Sequence, residues 1–592
     1  MGIKGIYPEL GPSRRVSLSK LAAESFEKSN RPFRIAIDAA IWQFQAQAAR
    51  GGTNPAVRTL FYRLARLLGT PVQAVFVFDG SKKPAFKRNK RSGRGNFVST
   101  AQAKCLIQLF GFVAHDAPGE AEAECALLQR QGIVDAVLSE DVDTIMFGCT
   151  RTLRNWSSER MSYKTPTHVS LYDVGDMNLA GLGLDREGMV LVALMSGGDY
   201  IPEGIPGCGV KVACEAAKAG FGKAVCRLKS ADTVGMRKWR ESLIHELRTN
   251  EKGFFRTKHK ALLVPDDFPN FEVLRYYTHP VVSQQSRLDS LRDSLDQRPK
   301  LWLDSLREFC RETLGWDFRL GAIKFIRVLG QAVLTHKMLY EQADGEGLVK
   351  QISGRRLHFS TDGTPELRLS YVPSEVVPID LSKEVDEQLA SGRDGLALNS
   401  DNEFEAGPDD VEGPKASVFD VTKPDLAWVL EGVARKSVPD AILAWEEGVA
   451  AKAARKAPSR TKAGGARAKK PAAVARGALD GFVRVTKVAS RVQDAGKSWD
   501  DGGLGGVRSV QRQPIPSTSS SLPSLQANFP GSSRPVSQKR FFSLLAPSHR
   551  HSHVPRRHAY GAGHATVHMS LALRQEVMGY VRLFPRAPVL KR

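Results

Sequence analysis

Apolar positions follow two patterns in the first 200 residues. Short continuous apolar runs at 33–38, 72–79 and 134–139 are typical of buried parallel strands. Between them, residues 56–68 and 121–131 place apolar side chains at steps of three and four, which predicts helices. Strands that alternate with helices predict an α/β fold with a parallel sheet.

The pattern changes further along the chain. It is mainly helical from about residue 204 to Leu339. Two strand-like pieces follow, at 357–360 and 367–372, and then an acidic stretch at 391–416. Two further helices are predicted at 427–434 and 439–454. We interpret this second part as a small α+β domain with a flexible insertion. From residue 455 onward Ala, Lys, Arg, Ser, Pro and Gly dominate, so we predict a disordered basic tail.

These patterns predict five regions. They are an N-terminal region of the α/β core (1–95), an internal region of that core (96–200), a helical region (201–345), a small domain with an acidic insertion (350–454) and a basic tail (455–592).

The net charge of +22 is unevenly distributed. Residues 451–592 carry 26 Lys and Arg against 5 Asp and Glu, whereas residues 380–449 carry 6 against 17. A basic body and tail fit a polyanionic partner, although a solvated basic surface explains the charge equally well. The seven cysteines form no CxxC pair, and the N-terminus has no apolar run typical of a signal peptide. We therefore expect a reduced, intracellular, soluble protein.

Acidic residues are the main chemical signal, because they follow predicted strands, begin a predicted helix or, in the case of Asp199, follow the Gly197-Gly198 turn that closes an apolar helix. Crowded carboxylates are unfavourable without cations, and oxygen ligands favour Mg²⁺ or Mn²⁺. Two such ions can activate water and stabilise the leaving oxygen in phosphodiester cleavage. For any one of these acids alone, a capping role at a helix or turn is the simpler explanation. The set as a whole favours a metal site. The set is Asp38, Asp79, Glu120, Glu122, Asp141, Asp143 and Asp199. Glu124 continues the acidic run, and we interpret it as a surface helix residue.

Six short motifs occur once each along the chain, at 1–6, 37–38, 78–80, 118–123, 139–144 and 197–200 with 204–211. Together they resemble the signature of the XPG-type structure-specific 5′ nucleases, which include the flap endonucleases, over about residues 1–330. The resemblance implies a PIN-like α/β core, two divalent metals, and hydrolysis that leaves 5′-phosphate and 3′-hydroxyl ends. By motif position, the first metal would be held by Asp38, Asp79, Glu120 and Glu122, and the second by Asp141, Asp143 and Asp199.

Two features resemble one branch of that family, the GEN-type Holliday-junction resolvases. Glu120 lies only 41 positions after Asp79, which implies a short arch, and the segment after the nuclease looks like a chromodomain with a C-terminal helix. The resemblance implies paired symmetric nicks in four-way junctions, cleavage of 5′ flaps, a monomer that dimerises on junction DNA, and a role in recombination and repair in the nucleus. The alternatives are a flap endonuclease or 5′ exonuclease with little junction activity, and a non-catalytic scaffold for branched DNA. Because the small domain shows no full aromatic cage, we expect it to contact DNA or to pack on the nuclease.

The resemblance also implies DNA contacts. Lys87 and Arg94 resemble the pair that steers the scissile phosphate; Arg88, Lys90 and Arg91 are neighbouring cations, although a solvated basic loop is the alternative. Residues 204–211 resemble a helix–two-turn–helix that grips duplex DNA, often with K⁺, and a tight helix–helix turn is the alternative. The remaining expected contacts are Gly2, Lys4, Gly207, Gly209, Lys211 and Trp42. For Trp42 there are two alternatives: its ring stacks on a base, or it packs against its own helix.

Overall fold

The structure of the protein is a computed structural model. It describes residues 2–47, 53–91, 97–159, 165–177, 182–229, 231–341, 347–386 and 419–456. The expected acidic stretch, 391–416, lies wholly outside the described residues, and so does the expected basic tail apart from residues 455–456, which belong to the last described helix.

The strands of the described residues form three sheets. In chain order they are β1 Arg14–Ser17, β2 Phe33–Asp38, β3 Val72–Phe78, β4 Phe86–Lys87, β5 Lys90–Arg91, β6 Val113–Asp116, β7 Ala136–Leu138, β8 Arg151–Ser157, β9 His168–Asp173, β10 Val349–Leu357, β11 Pro365–Tyr371 and β12 Asp425–Leu430.

The helices cover both faces of the main sheet and extend beyond it. They are α1 Tyr7–Leu10, α2 Leu18–Ser29, α3 Ala39–Gln47, α4 Pro55–Leu68, α5 Phe97–Leu109, α6 Ala121–Arg130, α7 Asp143–Met146, α8 Val174–Met177, α9 Arg186–Ser196, α10 Val210–Lys218, α11 Phe221–Arg227, α12 Thr233–Thr249, α13 Phe271–Thr278, α14 Gln285–Asp296, α15 Leu303–Leu314, α16 Phe318–Tyr340, α17 Pro373–Val376, α18 Glu431–Ser437 and α19 Pro439–Lys456. Short 3-10 helices span Phe359–Thr361 and Leu381–Lys383.

The main sheet has seven strands in the order β1-β9-β8-β7-β2-β3-β6. The predicted parallel core is confirmed from β8 to β6, whereas β9 pairs antiparallel with both β8 and β1. Every residue of β2 and β3 is buried, which explains their continuous apolar runs.

Each face of this sheet has its own hydrophobic core. Successive side chains of a strand point to opposite faces, so Ile35 and Ile37 join one core while Ala36 joins the other. The first core contains side chains of α2, α4, α5, α15 and α16. The second contains side chains of α6, α7, α9 and the helices that follow α9 up to α14. The acidic motifs therefore lie where two fully packed layers meet.

The small domain is an antiparallel sheet, in the order β10-β11-β12, followed by α18 and α19. It packs on the nuclease-like core, as expected: Leu367 and Leu369 join the first core, and the Gln331 side chain of α16 donates a 2.8 Å hydrogen bond to the Trp428 carbonyl. Two local predictions were wrong. The strand expected at 357–360 is β10, which ends at Leu357, and the helix expected at 427–434 is β12 followed by α18.

None of the described helices is both long enough and apolar enough to cross a membrane.

Candidate active site

The seven predicted acids gather at the carboxyl edge of the parallel strands. Asp38 ends β2, Asp79 follows β3, Asp141 and Asp143 follow β7, and Glu120 and Glu122 begin α6. Asp199 follows α9. Parallel strands place their carboxyl ends along one edge of a sheet, which is where ligands of such folds bind.

Short polar contacts join the acids. The Ser139 hydroxyl donates to Asp38 Oδ2 over 3.3 Å and accepts the Asp141 backbone N–H over 3.1 Å. The Asp143 N–H donates to Asp141 Oδ1 over 3.1 Å. Asp79 lies at the exposed edge of the cluster, where its carboxylate accepts the Ala121 N–H, over 3.0 Å, and pairs with Lys83. Backbone N–H groups in the turn after β7 and at the start of α6 therefore hold two of the carboxylates, those of Asp141 and Asp79.

Gly2 closes the cluster from the N-terminal side. Its N–H donates to Asp199 Oδ1 over 3.1 Å, and its φ is +75°. A Cβ at this position would lie 2.2 Å from Asp143 Oδ1 and 2.5 Å from Asp141 Oδ1. Only glycine can adopt this conformation so close to the two carboxylates. The start of the chain therefore forms part of the site.

Burial and mutual repulsion disfavour ionisation of these acids. Burial, followed by the charge of Glu122, raises the pKa of Glu120 to about 7 and that of Asp141 to about 6. Burial also raises the pKa of Asp38 and Asp143 well above the usual range, with neighbouring carboxylates adding to the effect. Because these four acids, Asp38, Glu120, Asp141 and Asp143, resist ionisation, the site favours a cation that can bind them.

A hairpin brings two cations into the cluster. Strands β4 and β5 are joined by Arg88 and Asn89, both with positive φ, as in a two-residue hairpin turn. Lys87 Nζ lies 2.8 Å from Glu122 Oε1, 3.0 Å from Asp199 Oδ2 and 3.2 Å from Glu120 Oε1. Arg88 donates to Asp199 Oδ1 over 2.6 Å and 2.8 Å. Arg88, predicted as a DNA contact, thus lies among the acids in this structure.

These cations change the ionisation of their partners. Burial alone would lower the pKa of Lys87, but the charges of Glu122, Glu120 and Asp199 outweigh it and hold that pKa well above the usual range. Burial alone would raise the pKa of Asp199, but Lys87 and Arg88 lower it. Lys87 is therefore a permanently protonated group at this site.

The donor set fits hard divalent cations. All seven side chains offer oxygen, the ligand atom that Mg²⁺ and Mn²⁺ prefer. Two oxygens, Asp141 Oδ2 and Asp143 Oδ1, are buried and have no hydrogen-bond partner among the described residues. Buried carboxylate oxygens without a partner are costly, and a bound cation removes that cost.

Tyr200 is a functional candidate that the sequence analysis missed. Its hydroxyl donates to Glu120 Oε2, and its ring packs on Tyr276 and Tyr277, with centroids 5.2 Å and 4.7 Å away. It directly follows Asp199 in the motif 197–200, so its place beside the acids was readable from the sequence. Tyr200 holds one Glu120 oxygen in a fixed position.

Glu124 was predicted as a surface residue, and this was wrong. It is fully buried, its Oε1 lies 2.8 Å from His115 Nε2, and its Oε2 accepts the Ser283 N–H over 2.9 Å. The segment around Ser283 covers α6, a tertiary contact that has no local sequence signal. Glu124 anchors the helix that carries Glu120 and Glu122.

The predicted DNA contacts have different positions. Lys4, Gly207, Gly209 and Lys211 are exposed, the last three at the start of α10. Trp42 is only 5% exposed and stacks on Trp156 with centroids 5.4 Å apart, so the helix-packing alternative describes it in this structure. For Lys90 and Arg91 the backbone alone is described, in β5, and Arg94 lies outside the described residues.

Three protein-family models match the chain. They are the XPG N-terminal domain at residues 1–99, the XPG I-region at residues 111–199, and the Holliday junction resolvase Gen1 C-terminal domain at residues 348–448. The first two contain all seven acids, and the third contains the small domain.

Curated proteins and solved structures are also similar. The chain is 33% identical over 233 residues to "Flap endonuclease GEN homolog 1" of Mus musculus, which is 35% of this chain and 24% of that protein. The chain thus spans about a quarter of the length of this relative. A solved structure described as "eukaryotic junction-resolving enzyme GEN-1 binding with Cesium" is 55% identical, with a TM-score of 0.66, and the match covers 76% of this chain and 100% of that one. A second, of "the Holliday junction-resolving enzyme GEN1 (WT) in complex with product DNA and Mg2+ ion", is 54% identical with a TM-score of 0.63 and the same coverage.

Proposed function

The chain belongs to the XPG nuclease family, in its GEN-type branch, and on that premise we propose that it is a Mg²⁺-dependent structure-specific endonuclease that cuts Holliday junctions by paired symmetric nicks and also cuts 5′ flaps. The observation that carries this proposal is the convergence of seven carboxylates at one sheet edge, two of them with buried oxygens that have no hydrogen-bond partner. The small domain and the 55% identity to a junction-resolving enzyme support the choice of substrate.

The acids divide between two ion positions in the proposed reaction. Asp38, Asp79, Glu120 and Glu122 would hold one Mg²⁺ or Mn²⁺, and Asp141, Asp143 and Asp199 the other. A pair of such ions supplies an activated water and stabilises the leaving oxygen of the phosphodiester. Tyr200 and Ser139 orient Glu120 and Asp38 by hydrogen bonds, and Gly2 leaves room for Asp141 and Asp143.

Lys87 has a second role in this proposal. It carries a positive charge that its surroundings strongly stabilise, and its ammonium lies among the acids. A scissile phosphate that enters the site would replace the carboxylates as the partner of this ammonium. The ammonium would then orient the phosphate. We propose the same steering role for Arg88, which is attached to the same hairpin turn.

DNA outside the site would be held by the loop before α10. Gly207, Gly209 and Lys211 are exposed there, and no side chain of the described residues caps the start of α10 at Val210. A solved relative is described as binding potassium, which supports the proposal of K⁺ at this loop. Two copies on one four-way junction would give the symmetric nicks, since the junction itself is two-fold. The 26 basic against 5 acidic residues of 451–592 support a nuclear, DNA-associated location.

A labelled four-way junction with Mg²⁺ tests the proposal. We expect two nicks at symmetry-related positions, each leaving a 5′-phosphate, and loss of both in Asp38→Asn and Glu120→Gln. Asp116→Asn is a matched control, because Asp116 also ends a parallel strand but pairs with Lys104 outside the cluster. The active-site assignment fails if Asp38→Asn or Glu120→Gln cuts at the wild-type rate.

Within the same family, the rival function is a flap endonuclease or 5′ exonuclease with little junction activity, as the name of the mouse relative suggests. Comparing initial rates on a 5′ flap and on a junction at rising protein concentration separates the two. A resolvase gives coordinated double incision of the junction only at concentrations where two copies bind. A non-catalytic scaffold, which would bind junctions without cutting them, does not require the seven acids that this chain retains.

A further inference from the structure

A basic cavity, separate from the acidic candidate active site, lies between the nuclease-like core and the small domain, on the first-core side of the sheet. Its volume is about 530 Å³. On one side it is lined by Arg63 and Arg66 of α4, and on the other by Arg356 of β10 and Trp428 of β12. We call this cavity the arginine cleft. None of the seven acids of the candidate active site lines it.

The arginine cleft has more positive charge than its own acids neutralise. Among its described lining residues are three arginines and a single carboxylate, Glu366. That carboxylate is already bound to Arg356, whose Nε donates to Glu366 Oε2 over 2.9 Å. Arg356 is also held over the Trp428 ring, 4.1 Å from its centroid. Two arginines therefore remain without a carboxylate of the cleft.

Arg66 is the unneutralised group of greatest interest. Within the described part of the chain, its side chain makes no hydrogen bond or ion pair. Removal from water lowers its pKa to about 10, and no acid opposes this effect. Arg63 shows the same direction: burial lowers its pKa, and the hydrogen-bond acceptor that it reaches is the neutral Gln45, over 2.9 Å.

A partly buried cation without a counter-ion is less stable than a paired one, and an anion that enters the cleft supplies the missing partner. The planar fork of arginine matches the oxygens of a phosphate better than those of a spherical anion. The volume lies within the range of roughly 300–1,000 Å³ that is typical of small-molecule sites. The ligand is therefore a phosphate on a carrier about the size of a nucleotide.

We propose that the arginine cleft is a phosphate-binding site, with Arg66 as its principal ligand, that takes the phosphate of a mononucleotide or of a DNA strand. The site is separate from phosphodiester cleavage, and its test does not depend on catalysis. Arg63 connects it to the candidate active site, because its guanidinium lies 5.2 Å from the ring centroid of Trp42, four residues after Asp38.

Binding to the full-length protein in EDTA tests this proposal, with inorganic phosphate, dAMP and a 20-base-pair duplex as separate probes. We expect Arg66→Gln to weaken the tightest of these interactions at least about tenfold, which corresponds to about 1.4 kcal/mol. Arg287→Gln makes the same charge change at an exposed position of α14, and it should stay within about twofold of wild type.

The probes identify the carrier of the phosphate. If dAMP or phosphate binding depends on Arg66, the ligand is a small molecule. If only duplex binding does, the ligand is a strand phosphate, and the slope of log K against log salt concentration should fall by about one. The proposal is overturned if Arg66→Gln binds all three probes as wild type does, or if Arg287→Gln weakens binding equally.

A second variant tests the same site with the opposite effect on folding. Thr59 lines the cleft one helical turn before Arg63 and two turns before Arg66. Thr59→Glu supplies the missing carboxylate, so we expect a higher Tm and at least about tenfold weaker binding of the same probe. Thr59→Gln should change neither quantity. A stably folded Thr59→Glu protein that binds as wild type does would contradict the proposal.

Discussion

Two regions of this molecule place buried carboxylates in opposite electrostatic surroundings. In the small domain, Glu431 accepts hydrogen bonds from Arg355 and Arg435, over 2.6 Å and 2.6–2.9 Å, and Glu366 accepts one from Arg356. At the edge of the main sheet, Asp38, Asp141 and Asp143 lie mainly among other acids.

The two environments shift ionisation in opposite directions. Burial would raise the pKa of Glu431, but its hydrogen bonds with Arg355 and Arg435 lower it. Burial raises the pKa of Glu120 to about 7, and the charge of Glu122 adds to the effect. Acids that are each paired with a cation stabilise the fold, whereas acids grouped together destabilise it until a cation binds. The comparison therefore separates Glu431, which serves structure, from the acid-crowded Asp38, Asp141 and Asp143, whereas Asp199 of the same site is paired with Lys87 and Arg88.

The largest expected effect comes from Asp143→Asn. This change removes a ligand and one charge from a crowded group, so we expect junction cleavage to fall at least about 1,000-fold while the Tm of the metal-free protein rises by about 2–4 °C. Cleavage rates and thermal melts in EDTA measure the two quantities. Asp116→Asn, at the end of β6, should change neither. A variant that loses activity and is also less stable without metal would remove the distinction between the two regions.

Tyr200→Phe should have a smaller effect on the same site. Loss of the hydroxyl frees one oxygen of Glu120, and groups that orient a metal ligand typically contribute 10- to 100-fold to affinity or activity. We expect cleavage at limiting Mg²⁺ to fall about tenfold and to recover in part at high Mg²⁺. Tyr276→Phe is the matched control, because the Tyr276 hydroxyl donates to Glu272 outside the cluster. An unchanged Mg²⁺ dependence would show that Tyr200 only packs.

The sequence predicted the active-site region more completely than the small domain, for a physical reason. Strands β2 and β3 are buried on both faces, so their apolar runs are continuous, and their carboxyl ends must meet at one edge. In the small domain, the short apolar run Leu426–Leu430 fits a buried helix and a buried strand equally well. It is a strand because it pairs with β11, more than 50 residues earlier in the chain.

Contacts between distant segments explain what was missed at the site itself. Nothing near Glu124 in the sequence indicates that the segment of Ser283 covers it. The hairpin that inserts Lys87 and Arg88 among the acids depends on a turn, Arg88-Asn89, that lacks the usual glycine. Local pattern indicated the acids and the resemblance indicated Lys87, but the position of Arg88 among the acids depends on tertiary structure.

The pH dependence of stability should have opposite signs in the two regions. An acid whose folded pKa is raised is ionised more easily in the unfolded chain, so Glu120 should destabilise the metal-free protein increasingly from about pH 4.3 to about pH 7. We therefore expect Glu120→Gln to gain Tm relative to wild type by more at pH 7.5 than at pH 5.5, by a few degrees in EDTA. Equal differences at both pH values would mean that Glu120 ionises normally.

The smallest expected effect tests the paired acids. Glu431→Gln removes the charge that binds Arg355 and Arg435, and we expect a loss of about 1 kcal/mol of unfolding free energy at pH 7.5, since both arginines are about half exposed. Because the folded pKa of Glu431 is lowered, this loss should be full above about pH 4.3 and should diminish as the pH falls below it. Urea melts at pH 7.5 and pH 4 measure both values, and junction cleavage should remain at the wild-type rate. Glu447→Gln, at an exposed position of the neighbouring α19, should change neither stability nor cleavage. If Glu431→Gln stabilises the protein as Asp143→Asn does, then pairing with arginine is not what distinguishes the two groups of carboxylates.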